Sequence, residues 1–480
     1  MHDFLTTLPK SIPIDRSPAS LLRHSQGDGG ARDRPCAIAR PTTSAQVQAL
    51  LSWANDTGCG LVPISSSDAR AGGGAEGSPV VIDMSGMKRV IHVDPQDSIA
   101  VIEPGLTFSG FDAALKPYGL RSFKPLLPRR GKSVLASYLD REPITSPHDH
   151  WDSEDPLGGS QLVFGNGEAF RTGTAAVRGT LEEQLEKGGR QMMAMGPAST
   201  DFMRVIQGSQ GTLAVLTWAS VFCEPVPALE RAFFVGSDDI GPLVELAYKI
   251  LWRRTGGQLF LVNSTQLGMI GAREAKDCVA LSAGLPRWIL YVNLTCPDYM
   301  PDERMAYMLA DLNADAAALG LQVSERIGGY AAAAIGAQQD DLPQQHYKDR
   351  LRGAHQSLFF LTQMDQAPRF LDMLDALQAE HLDMAQPAGV YIQPRIQGVS
   401  AHFELVFPFD PQVDGVARRV ADFTALAARR MADAGAFFSR PHGDWSAIAF
   451  EKDAGIKPYL AAVKDMMDPK GILCPGRLCF

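Results

Sequence analysis

Residues 65–74 combine three adjacent serines with three consecutive glycines. Small side chains and glycines let backbone N–H groups approach an anion closely, and serine hydroxyls add further donors, so the segment could hold a pyrophosphate without a lysine. A flexible surface turn is the alternative, because short Ser/Gly runs are often linkers. Strand-like segments lie on both sides, at residues 60–64 and 80–84, and this context favours the anion-binding interpretation.

Basic and titratable side chains occur in two further short segments. Arg129 and Arg130 could bind a carboxylate, because a guanidinium can donate two parallel hydrogen bonds to it. Solvated loop residues are the alternative. Near the C-terminus Arg440 precedes His442, a candidate general base whose charge or orientation Asp444 could affect. A structural histidine at a turn is the alternative here. We predict Arg440, His442 and Arg130 as catalytic residues.

Metal-ligating residue types are present but are not grouped in the sequence. The seven cysteines are scattered without Cys-x-x-Cys spacing, which favours reduced structural thiols over a zinc or iron–sulfur site. His402 stands alone in its segment, and one histidine does not make a metal site. We therefore predict no bound metal.

Composition narrows the classes of partner. The 480 residues carry a net charge of −9, with a sequence pI near 5.6, which argues against a nucleic-acid groove or an anionic membrane surface. No apolar run reaches the ~20 residues that a membrane-spanning helix requires. Residues 1–23 lack a signal-peptide hydrophobic region followed by a cleavage site, so a cytoplasmic location is predicted.

The elements that must position these residues alternate between strand and helix. Thr43 can cap a helix that begins its apolar stripe at Val47 and ends near Gly58, with Gln46 completing a capping box. Residues 165–167, Gly-Asn-Gly, have the composition of a tight type I′ turn. The strands predicted in this part are residues 60–64, 80–84, 91–93, 99–103, 162–164 and 169–171.

From Leu229 onward the predicted strands and helices become longer and the glycine-rich loops stop. Helices are predicted over residues 302–319 and from Val416 onward, each with one apolar face. The chain is long enough for two domains, and the element pattern is typical of an α+β fold. The strands predicted in this part are residues 231–235, 259–262, 289–294, 357–361, 390–395 and 403–407.

Several segments, in order along the chain, resemble those of the vanillyl-alcohol oxidase/p-cresol methylhydroxylase flavoproteins. The related flavoprotein subunits of D-2-hydroxyacid dehydrogenase and glycolate oxidase share this architecture. The resemblance implies a two-part FAD-binding domain of the PCMH type, at residues 1–227, and a cap domain with an antiparallel sheet, at residues 228–437. Residues 438–480 then return to the FAD domain. The resembling segments are residues 40–43, 80–87, 100–105, 149–151, 164–171, 208–217 and 470–477.

The resemblance also implies which residues contact FAD. The pyrophosphate would lie on the Ser/Gly segment, the isoalloxazine and ribityl chain on residues 132–151, and the adenine end on residues 208–217. We expect noncovalent FAD, although His148, His150, Tyr391, His402 and His442 are possible points of covalent attachment. The predicted FAD contacts are Ser65, Ser66, Ser67, Asp68, Ala69, Gly72, Gly73, Ser133, Ser137, Gly208, Gly211, Thr212, Val215 and Arg477.

The chain departs from the family at positions that carry its chemistry. Gly72 and Ser439 stand where the phenol-oxidising branch has tyrosines, and only Arg440 keeps its place. Arg395 stands where the metal-dependent branch has a second histidine. The resemblance implies an FAD-dependent oxidoreductase that transfers hydride from a small alcohol, an aromatic compound or a 2-hydroxy acid to flavin N5. Electrons would pass to oxygen or to a cytochrome, iron–sulfur or paralogous flavoprotein subunit. The alternative is a catalytically degenerate subunit that serves assembly or electron transfer.

Overall fold

The computed structural model describes residues 3–25, 34–67, 78–147, 156–189, 191, 193–197, 200–381, 387–443 and 445–480. The helices are α1 (Pro18–Ser25), α2 (Ser44–Thr57), α3 (Phe108–Leu115), α4 (Val134–Leu139), α5 (Leu181–Glu186), α6 (Phe202–Ile206), α7 (Ile240–Arg253), α8 (Ser264–Gly271), α9 (Ala275–Ala283), α10 (Pro301–Ala318), α11 (Ala333–Asp340), α12 (Ala367–Glu380), α13 (Val416–Asp433), α14 (Trp445–Lys452) and α15 (Lys457–Met467). The strands are β1 (Ile14–Asp15), β2 (Ala37–Ala39), β3 (Leu61–Ile64), β4 (Val80–Asp83), β5 (Val90–Asp94), β6 (Ile99–Ile102), β7 (Leu120–Ser122), β8 (Leu157–Phe164), β9 (Ala169–Arg171), β10 (Ala214–Pro225), β11 (Leu229–Ser237), β12 (Gln258–Asn263), β13 (Trp288–Cys296), β14 (Val323–Ser324), β15 (Arg326–Ile327), β16 (Tyr330–Ala331), β17 (Ala354–Thr362), β18 (Gly389–Arg395) and β19 (Ser400–Phe409).

The first sheet has the order β1-β2-β4-β3, in which β2, β4 and β3 are parallel. Helix α2 buries its predicted apolar stripe and ends at Gly58, whose φ of 71° satisfies the left-handed cap. The Thr43 hydroxyl accepts from the N–H of Gln46 at 3.2 Å, as predicted. The Gln46 side chain accepts instead from the N–H of Thr42 at 2.7 Å, so the predicted capping box is only half formed.

The second sheet has the order β5-β6-β10-β8-β9, and β7 also pairs with β10. Strands β8 and β9 form the predicted hairpin, but its connection is not a two-residue type I′ turn. The N–H of Phe164 donates to the carbonyl of Glu168 at 3.0 Å, which leaves a three-residue loop. Only Gly167 in this loop has a left-handed φ, at 85°, whereas a type I′ turn needs two such residues.

The third sheet is antiparallel, with the order β14-β11-β13-β12-β18-β19-β17. Side chains alternate between its faces, as the period of a strand requires. Phe403 and Leu405 of β19 pack on the side that carries helices α7, α10, α12 and α13. Val406 and Tyr391 pack on the other side, in the same core as Tyr138 of the first part of the chain. This sheet therefore presents one face to the domain that precedes it.

The C-terminal segment returns to the first sheet. Leu473 bridges Leu61 of β3, and the N–H of Leu61 donates to the carbonyl of Ile472 at 2.7 Å. Among the helices that the structure describes, none has the length and apolarity needed to cross a bilayer.

Candidate active site

Three neighbouring strands bring polar side chains to the face that looks toward the first domain. His402 and Glu404 are two residues apart on β19 and therefore point to the same side. Phe359 of β17 lies opposite Glu404 in the strand register, and Gln393 of β18 lies opposite His402. Both His402 and Glu404 are buried. A buried polar patch thus interrupts an otherwise apolar sheet face.

Arg440 reaches this patch from the segment that follows the cap domain. Its guanidinium carbon lies 4.2 Å from the centroid of the Phe359 ring, in cation–π geometry. Nη2 donates to Nδ1 of His402 at 3.4 Å. Because arginine can only donate, this contact requires the proton of His402 to lie on Nε2. Burial lowers the pKa of Arg440, while the nearby charges of Glu142 and Glu404 oppose that shift.

His402 and Glu404 differ in charge although both are buried. Burial lowers the pKa of His402 to about 4, so the imidazole is neutral at pH 7. For Glu404 burial opposes the charged form, but Lys348 and His402 outweigh this effect and hold its pKa well below the usual range. Lys348 Nζ lies 2.5 Å from Glu404 Oε1. The patch therefore contains an ionised carboxylate with its own cation.

The segment after Gly131 supplies a second charged group. Lys132 Nζ lies 2.7 Å from Glu142 and 3.3 Å from Asp140, and the Ser137 hydroxyl donates to Glu142 at 2.6 Å. Burial acts to raise the pKa of Glu142, yet the contacts with Lys132 and Ser137 prevail and lower it to about 2. Lys132, rather than Arg141, is thus the cation that pairs with Asp140.

Arg141 and Arg395 bring two further guanidinium groups next to Arg440. Arg141 Nη2 donates to the carbonyl of Ser439 at 2.5 Å, whereas its buried Nε has no hydrogen-bond partner among the described residues. Burial lowers the pKa of Arg395 to about 10, and the positive charges of Arg440 and Arg141 act in the same direction. Within the described part of the chain, the half-buried side chain of Arg395 forms neither a hydrogen bond nor an ion pair. The three arginines therefore keep donors available for an anion.

The described part of the Ser/Gly segment lies against residues 131–133. The hydroxyl of Ser66 accepts from the N–H of Ser133 at 3.0 Å, and the N–H of Ser67 donates to the carbonyl of Gly131 at 2.9 Å. The Ser133 hydroxyl caps α4 by accepting from the N–H of Ala136 at 3.0 Å. The hydroxyls of Ser133 and Ser137 are thus already engaged within the protein. Asp68, Ala69, Gly72 and Gly73 lie outside the described residues.

The turn before β10 approaches the same region from another side. Gly208 has φ of 76°, and its N–H donates to the carbonyl of Leu139 at 2.8 Å. A Cβ at Gly208 would lie 2.6 Å from Nη2 of Arg141. Gly211 has φ of 79°, and a Cβ there would lie 2.8 Å from Pro63. Both positions therefore need glycine, because the backbone is left-handed and a neighbour lies too close.

Other predicted contacts of this turn are structural in the described chain. The Thr212 hydroxyl donates to the carbonyl of Ser209 at 2.7 Å, and Val215 is buried in the core beside the first sheet. Arg477 Nη1 donates to the carbonyl of Gln210 at 2.9 Å. The Arg477 contact joins the turn to the C-terminal segment, while the N–H of Gly208 is engaged by the carbonyl of Leu139.

The residues present fit a bound FAD. Residues 65–67, 131–141, 207–212 and 474–477 converge, and one buried polar atom at this junction, Nε of Arg141, lacks a partner among the described residues. Small side chains and glycines leave backbone exposed to a ligand at the first three segments. The backbone of residues 65–67 and 208–211, together with Arg141, would hold the group.

Two predicted catalytic residues differ in placement. Arg130 is exposed and its Nη1 donates to the carbonyl of Leu342 at 3.3 Å, and none of its described contacts joins it to Arg440 or His442. Its catalytic role stays a prediction. Its neighbour Arg129 is half-buried and its charge acts on Lys132. His442 is half-buried, and its ring centroid lies 5.8 Å from that of Phe359, the ring that Arg440 also contacts.

The sequence interpretation missed Glu404 and gave no site role to Arg141 or Arg395. A signal for Glu404 was available, because His402 and Glu404 alternate with apolar residues in a buried strand and must share a face. Arg141 offers no such signal, since its partner Ser439 is 298 positions away. Of the possible covalent attachment points, Tyr391 is buried and donates to Gln393 at 2.7 Å, and His148 and His150 lie outside the described residues.

The fold and this geometry agree with comparisons to known proteins. Residues 35–136 match the family model of the FAD binding domain, so the chain carries an FAD-binding domain over that stretch. The cofactor implied by the sequence motifs is thereby confirmed as FAD.

Two curated relatives match part of the chain. The chain is 25% identical over 226 residues to the 4-cresol dehydrogenase [hydroxylating] flavoprotein subunit of Pseudomonas putida, covering 45% of this chain and 40% of that protein. It is 26% identical over 194 residues to the mitochondrial D-lactate dehydrogenase [cytochrome] of Arabidopsis thaliana, covering 40% and 31%. These matches span less than half of either relative's length.

A solved structure of p-cresol methylhydroxylase with substrate bound superposes with a TM-score of 0.82 at 17% identity, covering 99% of this chain and 95% of that one. The predicted α+β fold of the PCMH type is therefore confirmed, including the cap with its antiparallel sheet.

Proposed function

We propose that this protein is an FAD-dependent oxidoreductase whose substrate is a small hydroxy compound with a negative charge, a 2-hydroxy acid or a phenolate. The observation that carries this proposal is the proximity of Arg141, Arg395 and Arg440, together with the unpartnered Nε of Arg141 among the described residues. Like charges held close together and partly out of water repel one another, and an anion bound between them would offset that cost. The relatives named for 4-cresol and D-lactate support the same two substrate classes.

The arginines and histidines of the site would have distinct roles. Bound FAD would accept a hydride at N5. Arg395 and Arg440 would bind the substrate anion, and Arg141 would hold the cofactor or the same anion. His402 is a poor base because of its low pKa, and instead orients Arg440 by accepting its hydrogen bond. The half-buried His442 is the better candidate to accept the hydroxyl proton.

A catalytically degenerate subunit is the second candidate. It is favoured by Ser439, which stands where the resembling branch has a tyrosine and offers Arg141 only its backbone carbonyl. Such a subunit would bind FAD without being reduced by small substrates. The two candidates are therefore separated by reduction of the flavin under anaerobic conditions.

The test is an anaerobic titration of the purified protein, with flavin absorbance as the signal. We expect bleaching by 2-hydroxy acids or 4-alkylphenols and little by neutral alcohols of the same size. Arg395→Gln should weaken binding of the anionic substrate by about 10- to 100-fold, because a charged hydrogen bond contributes about 1.5–3 kcal/mol. Arg130→Gln, an exposed arginine, is the matched control and should behave as the wild type.

Three results would count against the proposal. A colourless protein that takes up no added FAD would exclude the enzyme. A flavin that no member of the panel reduces would favour the degenerate subunit. If Arg395→Gln lost the same affinity for charged and for neutral substrates, Arg395 would not be a residue that binds the substrate anion.

A further inference from the structure

Two histidines and an aspartate meet in the cap domain, next to Lys348. His346 precedes a 3₁₀ turn, Tyr347–Asp349, and Asp349 is the last residue of that turn. His355 is the second residue of β17. Each offers one ligand atom, and these atoms all lie within 4.8 Å of one another.

The contacts inside this group are incomplete. His355 Nδ1 lies 2.7 Å from Asp349 Oδ1. The Nδ1 atom of His346 is buried and has no hydrogen-bond partner among the described residues. An imidazole whose buried nitrogen has no partner is a poor hydrogen-bonding arrangement but a suitable metal ligand.

Neighbouring contacts fix the backbone that presents these ligands. The hydroxyl of Tyr347 accepts from Gln266 at 3.2 Å, and Arg350 donates to the carbonyls of Met269, Ile270 and Ala272 at 2.9–3.0 Å. Gly353, with φ of 94°, turns the chain back, and its N–H donates to the carbonyl of Asp349 at 2.7 Å. The side chains on either side of Asp349 are thus held in place independently of any ion.

We propose that His346, Asp349 and His355 bind a divalent transition metal ion, with Zn²⁺ as the preferred ion. Imidazole and carboxylate ligands suit Zn²⁺, and three protein ligands leave a fourth position for water. Tetrahedral ligation at bonds of ~2.0–2.1 Å needs ligand atoms roughly 3.3 Å apart, so the Asp349–His355 hydrogen bond of 2.7 Å must open when the ion binds.

The surrounding charges permit this ion. Lys348 acts against a cation, but it is paired with Glu404 at 2.5 Å. Arg129 also lies close enough to act on His346. Asp349 supplies the local negative charge. The site uses none of the three arginines assigned to the substrate anion, so metal binding can be measured whether or not the chain oxidises a substrate.

The test is equilibrium dialysis of the full chain, stripped with a chelator and then exposed to ZnCl₂, with zinc measured by mass spectrometry. We expect one Zn²⁺ per chain. Outer-shell partners alone contribute about 10- to 100-fold to metal affinity, so His346→Gln and His355→Gln should each weaken binding at least by that factor. His381→Gln, at the end of α12, is the matched control and should retain full binding.

Asp349→Asn, which preserves volume, guards against loss through misfolding, and circular dichroism should show all four variants folded. Co²⁺ offers a second readout, since removing a histidine ligand should change its visible absorption. Uptake of much less than one equivalent by the wild type would overturn the proposal. So would full uptake by all three ligand variants, because the ion would then bind elsewhere.

Discussion

Lys132 offsets the negative charges of two carboxylates on the cofactor side of the candidate site. It is buried and contacts both Asp140 and Glu142. Burial alone would lower its pKa, yet the two carboxylates outweigh that effect and raise it. The same contacts keep Glu142 ionised, and Glu142 in turn places negative charge near Arg440. One lysine therefore supports the arginine that we assign to the substrate.

Lys132→Met should destabilise the protein in a pH-dependent way. The pairing of Glu142 contributes stability that is complete above its unfolded pKa, ~4.3, and is lost as the pH falls toward its folded value of about 2. We expect a loss of about 2 kcal/mol at pH 7, from the charged hydrogen bonds, that shrinks below pH 4. Thermal melts at pH 7 and pH 3.5 measure this difference.

The exposed Lys187→Met, at the end of α5, is the control and should change the melting temperature little at either pH. A deficit in Lys132→Met that is equally large at both pH values would show that the pairing with Glu142 is not its source.

At the scale of elements, the turn between α6 and β10 links the cofactor region to Arg141. Gly208 is left-handed, and Arg141 lies directly against the place where its side chain would be. Arg141, which follows α4, also donates to the carbonyl of Ser439, so its guanidinium contacts both the turn and the C-terminal segment. A change at Gly208 should therefore act on the site through Arg141.

Gly208→Ala tests this linkage. A left-handed alanine costs about 1–2 kcal/mol, and displacement of Arg141 should add a further loss of FAD affinity. Gly320→Ala is the matched control, because Gly320 has nearly the same φ, 72°, and nothing within 4 Å of a Cβ. We expect similar backbone costs in melting temperature but weaker FAD binding only in Gly208→Ala, measured by fluorescence titration. Unchanged FAD affinity in Gly208→Ala would show that Arg141 does not contribute to cofactor binding.

The elements were largely predictable, whereas the site was not. The strand at residues 403–407 was predicted from its apolar run, and β19 contains it. Arg130 was predicted rather than Arg129, but the sequence gives no basis for that choice, because adjacent loop residues have no period that assigns them to a face. The prediction of a type I′ hairpin turn was also wrong. The turn residues alone do not set the register of the two strands, because pairing along the strands contributes to it as well.

At the scale of the whole molecule, one buried lysine fastens the C-terminal segment to the cofactor domain. Lys464 Nζ lies 2.6 Å from Asp468 and donates to the carbonyls of Thr212 and Leu473 at 2.7 and 2.9 Å. Asp468 accepts in turn from the N–H groups of Ile472 and Leu473. The segment that bridges β3 therefore depends on a charged pair inside the protein.

Lys464→Met should release this segment. Removing one partner of a buried pair leaves an uncompensated charge on Asp468 and costs about 3–5 kcal/mol. We expect a lower melting temperature, faster proteolysis within residues 468–480 and loss of FAD affinity, because residues 474–477 lie at the cofactor junction. Lys457→Met, exposed on the same helix, should leave all three unchanged. A double variant, Lys464→Met with Asp468→Asn, should recover part of the stability, since the stranded charge is then gone. If the double variant is no more stable than Lys464→Met, the backbone contacts of Lys464 rather than its charge hold the segment in place.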